Sequence, residues 1–375
     1  MSSAVAEIFG CAVMLQAHYL CKIVSTGLNN KTNTFSGFST ARENSPLSPM
    51  NNSMQWFYSE MLVCAEEVHK ALQRFSGRIH KTPVITCESI DKIAGCKVFM
   101  KCEHLQKTGS FKARGALNAV QKLKDEENAL GVVTHSSGNH GQGLAWAAAQ
   151  AELPCRVAVP KNAPPSKMDA MKGYGALLEL CEPTIKSRED TCNRLAKELG
   201  YCTIEPFDNQ DVICGQGTLG AEIIEQVPEA DAIFVAIGGG GLASGVAAYV
   251  SEVRPDIKVF LVEPEGKRLS EYLRNGEITK DKDALDTIAD GIRVLKVGEN
   301  CYPILKRTSS DKVITVSDQE IREALKLLWT RTKQRVEPSA AVPLAGLLKV
   351  SPAELGLKKV VLILCGGNVD INFIP

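Results

Sequence analysis

Residues 107–116 read Lys107-Thr108-Gly109-Ser110-Phe111-Lys112-Ala113-Arg114-Gly115-Ala116. The centre of this run is Lys112, set between the aromatic Phe111 and the small residues that open a helix predicted over 113–124. A lysine packed against apolar surface loses its preference for the ammonium form, and a neutral amine can form a Schiff base. Alone the run says little, because a loop lysine is usually solvated. It gains meaning only if the chain also supplies a phosphate cradle and a partner for a planar ring.

Both are found at strand ends. A strand predicted over 232–237 runs into Gly238, Gly239, Gly240 and Gly241, ahead of a helix predicted over 242–253. Four residues without Cβ let the backbone approach an anion, and free N–H groups at a helix N-terminus favour a phosphate. The spacing is neither G-x-G-x-x-G nor a P-loop. A strand over 131–134 leads into His135-Ser136-Ser137-Gly138-Asn139-His140-Gly141-Gln142 and a helix expected over 143–151. The N–H groups and hydroxyls of that turn suit a carboxylate. The last strand, 360–364, ends in Cys365-Gly366-Gly367-Asn368, where the thiol is a weak donor or acceptor.

Between these motifs, helices are expected over 63–75, 89–94, 165–174, 187–199, 216–227 and 318–332, and strands over 97–102, 156–159, 177–180 and 259–263. This alternation argues for parallel sheets with right-handed crossovers and a ligand crevice at the strands' C-terminal ends.

The 375 residues suffice for two domains. Lys+Arg and Asp+Glu are 43 each, which excludes a broad basic field for nucleic acid. The 13 cysteines are scattered without C-x-x-C, so they read as reduced thiols of a cytoplasmic chain rather than a disulfide frame or zinc site. Residues 4–24 are apolar but broken by Glu7, His18 and Lys22, so no membrane span is expected. Residues 29–53 are rich in Ser, Asn and Thr and read as disordered. A mitochondrial presequence is the alternative for this extension.

Six collinear stretches carry a resemblance: 107–115, 134–142, 238–241, 288–291, 336–339 and 365–370. Together they resemble the fold type II (tryptophan synthase β-like) enzymes that use pyridoxal phosphate (PLP). Within them the chain is most similar to the serine racemase / serine-threonine dehydratase family, over about residues 60–372. The resemblance implies two three-layer α/β/α domains with mostly parallel sheets. These are a large PLP-binding domain (55–130 and 209–375) and a small substrate domain (131–208), behind a disordered or targeting extension (1–54). It implies that Lys112 holds PLP as a Schiff base and acts as a base at the substrate Cα. Phe111 is then expected against the ring and Asn139 on its 3-hydroxyl oxygen. Gly238, Gly239, Gly240 and Gly241 hold the phosphate, Cys365 meets the pyridine nitrogen, and Glu337 lies near the ring. Ser136, Ser137, Asn139 and His140 bind the substrate carboxylate, with Arg188.

Ser137 matches the second acid/base of the racemases, where dehydratases often carry alanine. The implied activity is therefore interconversion of L- and D-serine, with β-elimination to pyruvate and ammonia. The stretch Glu205-Pro206-Phe207-Asp208 looks more like the dehydratases. It keeps open a threonine/serine or hydroxyaspartate ammonia-lyase, and an aspartate racemase. Glu263 matches one ligand of a Mg²⁺ or Ca²⁺ site, but Leu269 stands where a second acid is expected. A hard cation wants several oxygens, so this site is expected to be weakened. Lys107, Gln142 and Tyr174 match positions for an ATP effector at a homodimer interface.

Overall fold

The computed structural model describes residues 63–75, 77–127, 129–276 and 284–375, so the expectations for residues 1–54 lie outside the described residues. The first helix, α1 (Ala65–Phe75), is amphipathic and buries Ala65, Val68, Ala71 and Phe75. Strand β1 (Val84–Thr86) is followed by α2 (Glu88–Ala94), which ends at Gly95 with φ 71. The left-handed conformation there suits glycine. After β2 (Lys97–Lys101) come α3 (Lys112–Glu127), β3 (Val132–His135), α4 (Asn139–Gln150) and β4 (Cys155–Pro160). Then follow α5 (Pro165–Gly173), β5 (Leu177–Cys181), α6 (Ile185–Leu199), β6 (Cys202–Thr203) and α7 (Gln210–Gln226). The second half adds β7 (Ala232–Ala236), α8 (Gly241–Val253), β8 (Lys258–Pro264), α9 (Leu269–Asn275) and α10 (Cys301–Ser309). It closes with β9 (Val313–Val316), α11 (Asp318–Leu327), α12 (Pro338–Lys349) and β10 (Lys359–Ile363).

These strands make two sheets, a six-stranded one in the order β1-β2-β10-β7-β8-β9 and a four-stranded one in the order β5-β4-β3-β6. All pairings are parallel except β1 with β2. Every residue of β7 is buried, as a strand covered on both faces requires. The insertion of β10 between β2 and β7 decides where the site forms. It places the loop after Cys365 beside the loops that follow β2 and β7, so three motifs far apart in sequence share one sheet edge.

Several boundaries differ from the sequence reading. Helix α4 starts at Asn139, with Gly138 as its N-cap, so Asn139, His140 and Gln142 belong to the first helical turn rather than to a preceding loop. Helix α7 starts six residues earlier than the periodicity places it, because the Asn209 side chain accepts from Val212 N at 3.0 Å. The helix expected over 318–332 is α-helical only to Leu327. It then widens into a π-helical turn, Leu328–Thr332, and stops at Lys333 with φ 62. Strand β9 and helices α10 and α12 were not expected; Pro343 inside α12 masks its helical pattern.

A buried ionic cluster locks α3 in place. Arg114 is fully buried; its Nε donates to Glu103 Oε2 and its Nη1 to Glu222 Oε1, both at 2.7 Å. Lys101 Nζ completes the cluster through Glu222 Oε2 at 2.5 Å and the Thr82 carbonyl at 2.8 Å. Two cations balance two carboxylates, so no net charge is left in the core. The cluster ties α3 to α7 and β2, and with them the position of Lys112 at the start of α3.

Candidate active site

The Lys112 loop is knitted to the end of the last strand. Phe111 N donates to Cys365 O at 3.1 Å, Ser110 bridges Gly366, and Gly367 N donates to Gly109 O at 2.9 Å. The Lys112 amine lies 5.2 Å from the centroid of the Phe111 ring and donates to the carbonyl of Pro206. Lys112 as a residue is partly exposed, yet burial of its amine pushes its pKa down to about 8. The Glu337 carboxyl and the thiols of Cys301 and Cys365 stand in its field. Burial holds the Cys365 thiol well above its ordinary range and pushes Cys301 up to about 12, so both remain neutral.

Asn139 is held between two loops. Its Nδ2 donates to Glu337 Oε1 and Oε2 at 2.9 and 3.1 Å, and its Oδ1 accepts from Asn368 Nδ2 at 2.9 Å. Glu337, at the N-cap of α12, is pushed up to about 7, first by burial and then by the Asp290 carboxylate. Gly366 must lack a side chain here, because a Cβ would come within 2.8 Å of Glu337 Oε1.

The turn before α4 divides its labour. The Ser136 hydroxyl accepts from Gly138 N at 3.2 Å and Gly141 N at 3.0 Å, so it organises the turn. His140 is buried, with Nε2 3.0 Å from the carbonyl of Ile204. A carbonyl accepts only, so Nε2 carries the proton and Nδ1 is a bare acceptor without a partner among the described residues. Burial lowers His140 to about 3, keeping the ring neutral, and Lys112 adds to the effect. Ser137 is partly exposed, and its hydroxyl has no partner among the described residues.

The glycine loop lies at the N-terminus of α8. Gly240 has φ 102, a conformation that favours glycine, and the N–H groups of Gly239, Gly240 and Gly241 donate to no acceptor among the described residues. Packing also demands these glycines: a Cβ on Gly239 would fall 2.2 Å from the Phe207 ring, and one on Gly240 would fall 2.9 Å from Cys301 Cβ. Unpaired amides at a helix N-terminus fit a phosphate. With the desolvated lysine and the neutral thiol of Cys365, this edge fits the phosphate, aldehyde and ring of a pyridoxal cofactor.

Three participants were given no role in the site by the sequence reading. Pro206 accepts the Lys112 ammonium, Phe207 covers the glycines, and Cys301 backs Gly240. The Pro206-Phe207 pair was visible as a motif, but nothing local in the sequence marks Cys301. Lys167 also bridges to Asp290 at 2.6 Å, joining α5 to the loop near Glu337. Arg188 sits in the first turn of α6 near Cys181 and is hydrogen-bonded to no other site residue among the described residues. Gln142 is buried in α4, and Tyr174 packs against the apolar cluster beneath that helix. A cavity of about 360 Å³ opens beside Phe207 and is lined by His135, Glu189, Glu205 and Asp208.

A profile of the pyridoxal-phosphate dependent enzyme family matches residues 75–366, and the chain belongs to that family. It is 45% identical over 312 residues to a serine racemase of Dictyostelium discoideum, covering 82% of this chain and 95% of that one. It is 40% identical to a β-hydroxyaspartate dehydratase of Paracoccus denitrificans, covering 83% and 98%. Among solved structures, a pyridoxal 5'-phosphate-dependent aspartate racemase superposes with a TM-score of 0.80 at 46% identity, covering 84% of this chain and 98% of that one. The protein is thus a fold type II PLP-dependent enzyme. Among the described residues no helix is long and apolar enough to cross a membrane.

Proposed function

We propose that this enzyme interconverts L- and D-serine and also eliminates water from serine, the released enamine then taking up water to give pyruvate and ammonia. The observation that carries this reading is the desolvated Lys112 amine, whose charge acts on His140 of the same turn that offers the uncommitted hydroxyl of Ser137. The serine racemase relatives support the substrate.

When bound, pyridoxal phosphate supplies a sink for the electron pair left at Cα. Lys112 removes the Cα proton, and its lowered affinity for protons lets it act near neutral pH. Phe111 limits the space beside its amine. Ser137 delivers or removes the proton on the opposite face. Ser136 keeps the turn in shape, while Ser137, Asn139 and the amides opening α4 hold the substrate carboxylate, with neutral His140 behind them. Gly238, Gly239, Gly240 and Gly241 would hold the phosphate, and Asn139, oriented by Glu337 and Asn368, would hold the ring oxygen. Cys365 would hold the ring nitrogen with a neutral thiol. Residues 131–208 form the substrate domain in this reading, and 55–130 with 209–375 the cofactor domain. A homodimer with an ATP site at Lys107, Gln142 and Tyr174, and Arg188 as a further carboxylate partner, belong to the same proposal. Gel filtration and nucleotide titration test the first two.

A second reading, action on aspartate or β-hydroxyaspartate, is favoured by the 46% identical aspartate racemase and the 40% identical dehydratase. The test is chiral separation and keto-acid detection with L-serine, D-serine, L-threonine, L-aspartate and β-hydroxyaspartate. The serine reading requires D-serine from L-serine. A Ser137→Ala variant is expected to lose D-serine formation and keep pyruvate formation; equal loss of both would reject the two-base scheme.

A further inference from the structure

Strand β8 ends at Glu263-Pro264, and the chain turns through Gly266 with φ 87 before Lys267 folds inward. Lys267 is fully buried, an unusual place for an ammonium, and the chemistry above does not use it. Its Nζ donates to the carbonyls of Val294 and Leu295 at 2.5 and 3.2 Å, and the nearby charge acting on it is that of Glu263. Glu263 is itself buried, with Oε2 accepting from Leu269 N at 2.8 Å and Oε1 from Thr315 Oγ1 at 2.9 Å.

Two carbonyls bonded to a positive centre, with a carboxylate in its field but not in direct ion-pair contact, are the oxygen types a hard divalent cation takes. Here the centre is covalently part of the chain. A divalent ion would need a further anionic oxygen, and the position expected to supply it, Leu269, is packed in the apolar core. These residues do not fit Mg²⁺ or Ca²⁺.

We propose that the Lys267 ammonium takes the place of a structural divalent cation, so that the enzyme holds its glycine loop without metal. Lys267 is a positioning residue in this scheme. The segment it grips also carries Ile292, which lies 3.1 Å from where a Cβ on Gly238 would stand, and Gly298, whose N–H donates to Gly239 O at 2.9 Å. Through these contacts the ammonium sets the backbone of the loop read above as the phosphate cradle. Only the effect on cofactor affinity rests on that reading; the clamp is tested independently.

The test is thermal melting of the purified enzyme without amino-acid substrate, after chelation and with Mg²⁺ or Ca²⁺ added back. Wild type is expected to show the same Tm under all conditions. Lys267→Met is expected to melt about 4–8 °C lower, to lose PLP more readily, and to gain nothing from either metal. The Lys267→Ala/Leu269→Asp double variant is expected to acquire a rise in Tm on addition of Mg²⁺ or Ca²⁺, a response that a merely space-filling lysine would not produce. A fall in wild-type Tm on chelation, reversed by either ion, would overturn the proposal. So would a well-folded double variant indifferent to metal. If the double variant does not fold, the wild-type titration and Lys267→Met decide. Loss of stability in Lys267→Met with unchanged PLP retention would reject the link to the glycine loop and leave the clamp standing.

Discussion

The amine of Lys112 offers the sharpest measurement. Burial disfavours the ammonium, so the group titrates near 8 rather than at the ordinary 10.5. At pH 7.5 about a quarter of Lys112 is then the free amine, against about 0.1% for a solvated lysine, a gain of about 200-fold. Stripped protein mixed with PLP should capture it at a rate that rises with pH and levels off above about 8. Stopped-flow absorbance follows the capture, and borohydride trapping with peptide mapping identifies the lysine. The same shift affects stability. Between pH 8 and 10.5 the unfolded chain holds more protons at this site than the folded one, so cofactor-free protein should gain stability as pH rises through that window, on the order of 3 kcal/mol at most. Below pH 8 both states are protonated and the penalty is fully present. Denaturant titrations of wild type and Lys112→Met isolate this slope. A rate midpoint near 10.5, or trapping on another lysine, would refute the reasoning.

Arg114→Ala leaves Glu103 and Glu222 buried with only Lys101 to balance them, and should cost about 3–5 kcal/mol in urea unfolding. Gly240→Ala must place a side chain at φ 102 and within 2.9 Å of Cys301 Cβ; weaker PLP binding by equilibrium dialysis and a loss of about 1–3 kcal/mol in stability are expected. Asn139→Ala removes the donor that holds Glu337 ionised, so Glu337 should titrate above 7, visible as an upward displacement of the acidic limb of the pH–rate profile. Unchanged limbs would separate Asn139 from Glu337.

Much of the site was legible because its chemistry is local. Gly238, Gly239, Gly240 and Gly241 follow an apolar run and precede a helix, so strand, turn and anion site can be read from adjacent residues. Lys112 and its aromatic neighbour are equally local. What stayed hidden depends on partners far along the chain. Cys301 backs the glycine loop across about sixty residues, and no pattern near it says so. The start of α4 was misplaced because Gly138 caps it by backbone conformation, without a side-chain signature.

The sequence by itself determined the alternation of strands and helices and the chemical type of each turn, because periodicity and glycine placement act within a few residues. The tertiary structure alone decided which turns meet. Inserting β10 between β2 and β7 brings Cys365 and the glycine loop to Lys112, and Lys267 folds inward onto the carbonyls of Val294 and Leu295. These outcomes depend on sheet order and on the cost of burying an unpaired charge, which only packed neighbours can meet.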